Sequence, residues 1–218
     1  MPKITKTNIL LGIFFIITIL LALKDPQGFI FPISILVIIF RDSIGNKFAS
    51  WSPSKAFVFT GIVLGLTTEV FAIISNLNLP PEKKILMHPD PIIDILIGIF
   101  YYGFVIFTWL FFIKRYSFSK KAVFSITALL GIVTEQSGAI LYGIFANIII
   151  GTLTALIIAC IYGAFPTLAY MVTKKYFEKL PRKIPKYYHY FIAICAIFLQ
   201  WAIFGLFINN TIVSIFPK

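Results

Sequence analysis

Three carboxylates stand inside long apolar runs of this chain, and their type and placement could do chemistry. They are Glu69 in GIVLGLTTEVFAIISN, Asp94 in PIIDILIGIFYY and Glu135 in ALLGIVTEQSGAIL. An ionisable group at membrane depth is costly, and such groups face a bundle interior or a wet cavity, which makes all three candidates for a functional site. Two carboxyl groups at one depth in a low dielectric do not both ionise readily, so Glu69 and Glu135 are expected to share one proton. That arrangement suits general acid/base catalysis, or the binding of a proton or cation for transport. The structural alternative is that each glutamate stays protonated and hydrogen-bonds a neighbouring helix.

Around these acids the sequence offers polar partners. Asn76 and Tyr142 follow the two glutamates by seven residues and would extend their helix faces outward. Tyr101, Tyr102 and Tyr162 could donate hydrogen bonds into a central pocket, although in a chain with 10 Tyr and 24 Phe most aromatics are packing or interface residues. Gln136 and Gln200 read as further buried polar groups. In HPDPIID, residues 88–94, an exposed His88 with Asp90 and Asp94 could supply nitrogen and oxygen ligands to a metal, the two aspartates being one helical turn apart. Helix capping explains the same residues without a metal, with Asp90 at the N-cap and Asp94 in the first turn, both favoured by the helix dipole.

The elements that must position these groups follow from composition. The 218 residues are 59% hydrophobic and 12% charged, with mean hydropathy +0.95. Soluble domains carry roughly 25% charged residues. An all-α membrane protein is expected, a single integral domain over 1–218. Spans of ~20 apolar residues fall near 6–23, 26–40, 56–76, 91–113, 121–143, 148–172 and 188–213, a seven-transmembrane-helix bundle. The segment 26–40 is short with Pro32 in its first turns, so a re-entrant segment and six spans is the alternative. The N-terminal run has a basic start but no small-residue cleavage site before Lys24 and Asp25, and reads as a first helix or signal anchor. Cys160 and Cys195 lie in apolar runs and read as small buried hydrophobes.

Net charge is +11, yet the basic residues sit in short clusters between apolar runs, which points to membrane orientation and away from nucleic acid. With seven spans, all but Lys24, Lys83, Lys84 and Lys218 of the 19 Lys and Arg fall on the side of the N-terminus. The positive-inside rule then places the N-terminus inside and the C-terminus outside a cytoplasmic membrane. Of the acids only Asp42 and Glu178 lie on that basic side; Asp25, Glu69, Glu82, Asp90, Asp94 and Glu135 fall toward the other, so the site would face outward. Asp25-Pro26, Asp90-Pro91 and Asn147-Ile148 are start signals for helices on the outer side. The sequence YYHY, including His189, reads as an interfacial aromatic belt.

A parallel helical-hairpin repeat links the third and fourth spans to the fifth and sixth. An offset of 66 aligns Lys55-Ala56 with Lys121-Ala122, Gly65 with Gly131, Thr68 with Thr134 and Glu69 with Glu135; an offset of 60 aligns Tyr102-Gly103 with Tyr162-Gly163. Both glutamates then lie ~20 Å from the basic end at 1.5 Å per helical residue. Gly61, Gly65 and Glu69 share one face, as do Thr127, Gly131 and Glu135, and small residues there allow close helix approach.

Known membrane classes fit poorly. A retinal protein needs a Schiff-base lysine in the last helix, and 188–213 holds none; seven-helix zinc hydrolases use several histidines, and this chain has 2. Membrane-type carotenoid cyclases and hydratases also carry intramembrane acids, without a motif that carries over. The expected function is therefore a membrane enzyme acting on a lipid or isoprenoid by acid/base catalysis at Glu69, Glu135 and Asp94. The alternatives are a small proton- or cation-coupled transporter, favoured by the repeat, and a non-catalytic membrane component. The expected partners are the lipid bilayer and a lipid, isoprenoid or cation ligand, with no cofactor indicated.

Overall fold

A computed structural model describes residues 6–80, 83–208, 211 and 213–215. Lys3, Glu82 and Lys218, which entered the charge argument, lie outside the described residues. The chain is helical almost throughout, with one isolated bridge between Tyr116 and Lys183 among the described residues. Helix α1 covers Lys6–Ala22, α2 Ile30–Lys47, α3 Pro53–Asn76, α4 Pro91–Arg115, α5 Lys120–Thr134, α6 Ala139–Ala146, α7 Ile148–Phe177, α8 Tyr187–Phe207 and α9 Val213–Ile215. Tight 3-10 turns at Pro26–Phe29 and Glu135–Gly138 lead into α2 and α6.

Six helical stretches among the described residues are long and apolar enough to cross a membrane, and Leu10–Ala22 is a shorter apolar helix. This is the polytopic helical membrane architecture expected from composition. The outward faces agree: Leu153, Leu156, Phe191, Leu199 and Leu206 are exposed on α7 and α8. A soluble protein does not leave large apolar faces so open.

The predicted helix starts are realised by the predicted chemistry. Asp25 Oδ1 accepts the Gln27 N–H at 3.1 Å, Asp90 Oδ1 those of Ile92 and Ile93 at 2.8 and 3.2 Å, and Asn147 Oδ1 that of Ile150 at 3.1 Å. Each satisfies backbone donors that a helix leaves free in its first turn. At the basic end Ser52 and Ser119 do the same for α3 and α5, accepting the Lys55 and Ala122 N–H groups.

Several boundaries differ from the sequence reading. The second helical stretch, expected to stop at residue 40, runs on to Lys47, because its polar end docks on α7: Tyr176 donates to the Gly45 carbonyl at 2.6 Å and Lys175 to Asn46. With its 3-10 lead-in it spans Pro26–Lys47, enough to cross. Helix α7 reaches Phe177 instead of 172; the expected end of the last span at 213 follows residues 209, 210 and 212, which lie outside the described residues. The fifth span is not continuous. Helix α5 stops at Thr134, Gln136 and Ser137 take left-handed backbone angles (φ 49° and 56°), Gly138 follows at φ 89°, and α6 restarts at Ala139. Non-glycine residues in that region cost roughly 1–2 kcal/mol each, so packing must hold the break. Gly143 and Gly151 help, since α6 folds back on α7 so closely that a Cβ on Gly151 would sit 2.2 Å from the Gly143 carbonyl oxygen.

Helix α7 is the centre of the bundle, packed against α2, α3, α5 and α6; α4 pairs with α3, and α8 lies on α4 with a smaller contact to α5. In a bilayer, helix association depends on close packing and interhelical hydrogen bonds more than on hydrophobic burial. The half toward the basic end is a dry aromatic core of Phe57, Trp109, Phe112, Phe118, Tyr170 and Phe177. Trp109 is tied across it, donating from Nε1 to Thr127 at 2.8 Å. Two loops close that end through Ser117 and Lys183, whose backbones bond at 2.9 Å, and the His189 ring packs at a tilt against those of Tyr116 and Tyr188.

The sequence reading placed Cys160 and Cys195 in the interior; both are exposed on helix faces. Their apolar neighbours reflect a lipid-facing surface and not a core.

Candidate functional site

The two hairpins repeat one device. In the first, Gly65 on α3 lets the Tyr102 ring of α4 lie against the helix backbone, so close that a Cβ on Gly65 would stand 2.4 Å from ring carbons. One turn on, Tyr102 donates its hydroxyl to Glu69 Oε2 at 2.8 Å. In the second, Gly131 on α5 accepts the Tyr162 ring of α7 at the same 2.4 Å, and Tyr162 donates to Glu135 Oε2. Glycine, glutamate and tyrosine thus form a matched unit twice. Glycine is required because the ring occupies the place of a side chain.

Both units face one cavity of about 560 Å³ between the hairpins, α8 and the loop that follows α3. Its polar wall includes Glu69, Glu135, Tyr101, Tyr102, Tyr162 and Asn76; its apolar wall includes Met87, Ile161, Phe165, Trp201 and Phe204. Tyr101 packs edge-to-face against Tyr102 and Tyr162 and at a tilt against Phe204, with ring centroids 5.2, 6.4 and 5.3 Å apart. The cavity lies in the half away from the basic end. Toward that end it stops at Tyr102, Tyr162 and Phe165, beyond which Ile106, Trp109 and Leu130 are fully buried.

The structure therefore brings together Glu69, Glu135, Asn76, Tyr101, Tyr102, Gln136 and Tyr162 around one space. Several differ in setting from the sequence reading. Glu135 caps the broken end of α5 and is not inside a helix. Gln136 is exposed at the cavity wall instead of buried, because the left-handed turn swings it off the α5 face. The same break removes Tyr142 from the glutamate face and leaves it 74% exposed. Asn76 lines the cavity but its amide is committed, donating to the Ala72 carbonyl at 2.8 Å and accepting the Ile85 N–H at 2.9 Å. It therefore holds the loop that forms one wall.

Asp94 was expected on the pocket wall. It is instead 0% exposed and does not line the cavity, lying behind Glu69. The α4 face that meets Glu69 is the one that carries Asp94, since a Cβ on Gly98, one turn on from Asp94, would touch Glu69 Cγ at 3.4 Å. Asp94 Oδ1 accepts the His88 N–H at 2.7 Å. His88, expected to be exposed, is 4% exposed, and its Nδ1 accepts the Asp90 N–H at 3.0 Å. Of the three residues weighed as metal ligands, Asp90 accepts at the helix start, His88 Nδ1 accepts a backbone N–H and one Asp94 oxygen accepts from the loop. No group of three metal-binding side chains occurs among the described residues.

Some cavity residues escaped the sequence reading. Trp201 and Phe204 come from α8, where they look like any lipid-facing aromatic until packing sets the helix rotation. Ser137 had a usable signal, since Gln-Ser-Gly inside an apolar run is a helix-breaking cluster. Thr68 and Thr134 entered only as repeat identities, yet both line the cavity next to the glutamates. Gln200 is buried as expected, and neither its Oε1 nor its Nε2 has a hydrogen-bond partner among the described residues.

Chemically, the site presents two carboxyl groups, each held by a phenol, on opposite hairpins around a partly aromatic space. Such a set can hold, give and take protons next to an apolar or amphipathic ligand. In comparisons with known proteins the chain matches no family model, no curated protein and no solved structure.

Proposed function

We propose that this polytopic membrane protein is an enzyme that moves protons on a lipid or isoprenoid substrate, with Glu69 and Glu135 as the acid/base groups. The observation that carries the reading is the cavity: about 560 Å³, within the ~300–1,000 Å³ of small-molecule sites, amphipathic, and closed toward the basic end by packed residues. A dead-ended pocket favours chemistry on a bound molecule over passage through the protein. Tyr102 and Tyr162 orient the two carboxyl groups, each leaving the second oxygen of its glutamate for a substrate or a neighbour. Tyr101, whose hydroxyl makes no hydrogen bond among the described residues, is a ready donor to a polar substrate group. The aromatic wall of Tyr101, Phe165, Trp201 and Phe204 suits an apolar chain and would stabilise a cationic centre formed by protonation.

The basic end, with Arg41, Lys47, Lys114, Arg115 and the Lys174–Lys186 segment, is the cytoplasmic side of a cytoplasmic membrane in this reading, and the cavity faces outward.

The test is a lipid comparison. Membranes of cells that make the wild-type chain, E69Q, E135Q or the double variant at equal levels, and of cells that lack it, are extracted and compared by mass spectrometry. Wild type should change at least one lipid or isoprenoid species. Each single variant should lose that change by about 100-fold or more, and the double variant should be little worse, because residues acting as a unit are not additive. Glutamine keeps the size and hydrogen bonding of a protonated glutamate, so full activity in both single variants would sink the proposal.

One observation favours a second reading, proton- or cation-coupled transport. Helix α5–α6 is interrupted beside Glu135, and broken helices between repeats are where transporters bind ions. Proton flux into vesicles containing the purified protein, abolished by E135Q, would decide for it.

A further inference from the structure

The two hairpins share the glycine, glutamate and tyrosine unit, and they differ at a position that bears on the chemistry. On α4, Asp94, Gly98 and Tyr102 follow one another at four-residue spacing and form a face against Glu69; a Cβ on Gly98 would touch Glu69 Cγ at 3.4 Å. The repeat offset of 60 carries Asp94 onto Thr154 of α7. Thr154 has no carboxyl group, and its hydroxyl donates to its own helix at the Ile150 carbonyl, 3.0 Å away. Glu69 therefore has a second carboxyl group beside it and Glu135 does not.

The Asp94 carboxyl is completely enclosed. One oxygen accepts the His88 N–H; the other, Oδ2, is buried and finds no donor among the described residues. An enclosed carboxylate oxygen without a donor carries a large desolvation cost. Gly98, one turn from Asp94 on the same α4 face, abuts Glu69 Cγ, and this sets the two carboxyl groups side by side. Two ionised carboxylates in contact away from water repel strongly, whereas one proton between them converts the repulsion to a hydrogen bond and satisfies the orphaned oxygen.

We infer that Asp94 and Glu69 share a single proton, which makes Glu69 the proton-donating side of the cavity and leaves Glu135, with its lone phenol partner, as the accepting side. Asp94 is a positioning residue that acts through Glu69, since it does not reach the cavity itself. The assignment of donor and acceptor rests on the acid/base reading above; the shared proton does not. In a turnover, the O–H bond on Glu69 breaks as the substrate gains the proton, and Glu135 takes the proton that the substrate then loses. The net change in the substrate is an isomerisation, and proton exchange with water restores both carboxyl groups. No oxidant or reductant enters.

The experiment is infrared spectroscopy of the purified wild type, D94N, E69Q and E135Q in lipid, with lipid turnover measured on the same four proteins. Asparagine at 94 keeps an oxygen to accept the His88 N–H and gives Glu69 an N–H donor, so D94N should fold and melt like wild type. The wild type should show the carbonyl band of a protonated, strongly hydrogen-bonded carboxyl group. D94N and E69Q should lose or shift that band, and E135Q should keep it. An unchanged band in D94N, or its loss in E135Q alone, overturns the shared proton. If Asp94 only anchors the loop, D94N also keeps full turnover, whereas the inference expects a fall of about 10-fold or more. A band that behaves as expected in a protein that alters no lipid would leave the pair standing and defeat the enzymatic reading, so the two failures are distinguishable.

Discussion

Alanine at Gly65 or Gly131 tests the packing unit on which the site depends. In G65A the new methyl group would stand 2.4 Å from Tyr102 Cδ1 and Cγ and 2.9 Å from its Cβ. Ordinary contact starts at 3.4 Å, so the ring or the helix must give way by about 1 Å. The ring has little room, with Phe165 at 5.1 Å and Tyr101 at 5.2 Å between centroids on its other sides. Overpacking of this kind costs ~1–3 kcal/mol, and moving the ring off Glu69 forfeits about 1 kcal/mol of hydrogen bond. Replacing glycine in a helix returns roughly 1 kcal/mol. The net expectation is a loss of about 1–3 kcal/mol. G131A should behave alike, its methyl group meeting the Tyr162 ring at 2.4 and 2.6 Å. G103A is the control within the same helix as Tyr102, because nothing lies within 4 Å of its added Cβ. It should be neutral or more stable by up to about 1 kcal/mol. Reversible unfolding in detergent micelles measures all three. If G65A and G131A unfold together with G103A, the rings do not rest on those helix backbones and the matched unit is wrong.

Two further perturbations address the shell around the site. D90N should be mild and D90A should lose ~1 kcal/mol, since asparagine caps nearly as well as aspartate and alanine does not; the same unfolding assay separates this from a metal role, in which both variants would lose bound metal by elemental analysis. N76A removes the acceptor for the Ile85 N–H, so hydrogen exchange at Ile85 and its loop neighbours should quicken while exchange in the α3 and α4 cores stays unchanged; an unaltered rate at Ile85 would show that Asn76 does not hold that wall.

Much of this molecule is legible in its sequence because the governing rules are local. Apolar runs of membrane length need no partner to be recognised, and a helix is the form in which such a run satisfies its own backbone. The caps at Asp25, Asp90 and Asn147 were readable for the same reason: a side chain two or three residues from the N–H it serves requires no tertiary information. The repeat placed Gly65 with Gly131 and Glu69 with Glu135, and the spacing of four put each pair on one face.

Tertiary structure decided what those faces meet. Nothing in the spacing of α5 shows that the left-handed turn at Gln136 and Ser137 is tolerated; it persists because α6 folds onto α7 through Gly143 and Gly151, and that contact moves Glu135 to a helix end and turns Tyr142 away. The rotation of α8, set by its packing on α4, brings Trp201 and Phe204 to the cavity. The neighbour of Glu69 was likewise undetermined by depth alone. Equal depth suggested Glu135, but hydrogen bonding depends on the pairing of adjacent helices, and α3 packs on α4, which carries Asp94. Sequence period states which residues share a face, while only the packed bundle states which face lies opposite.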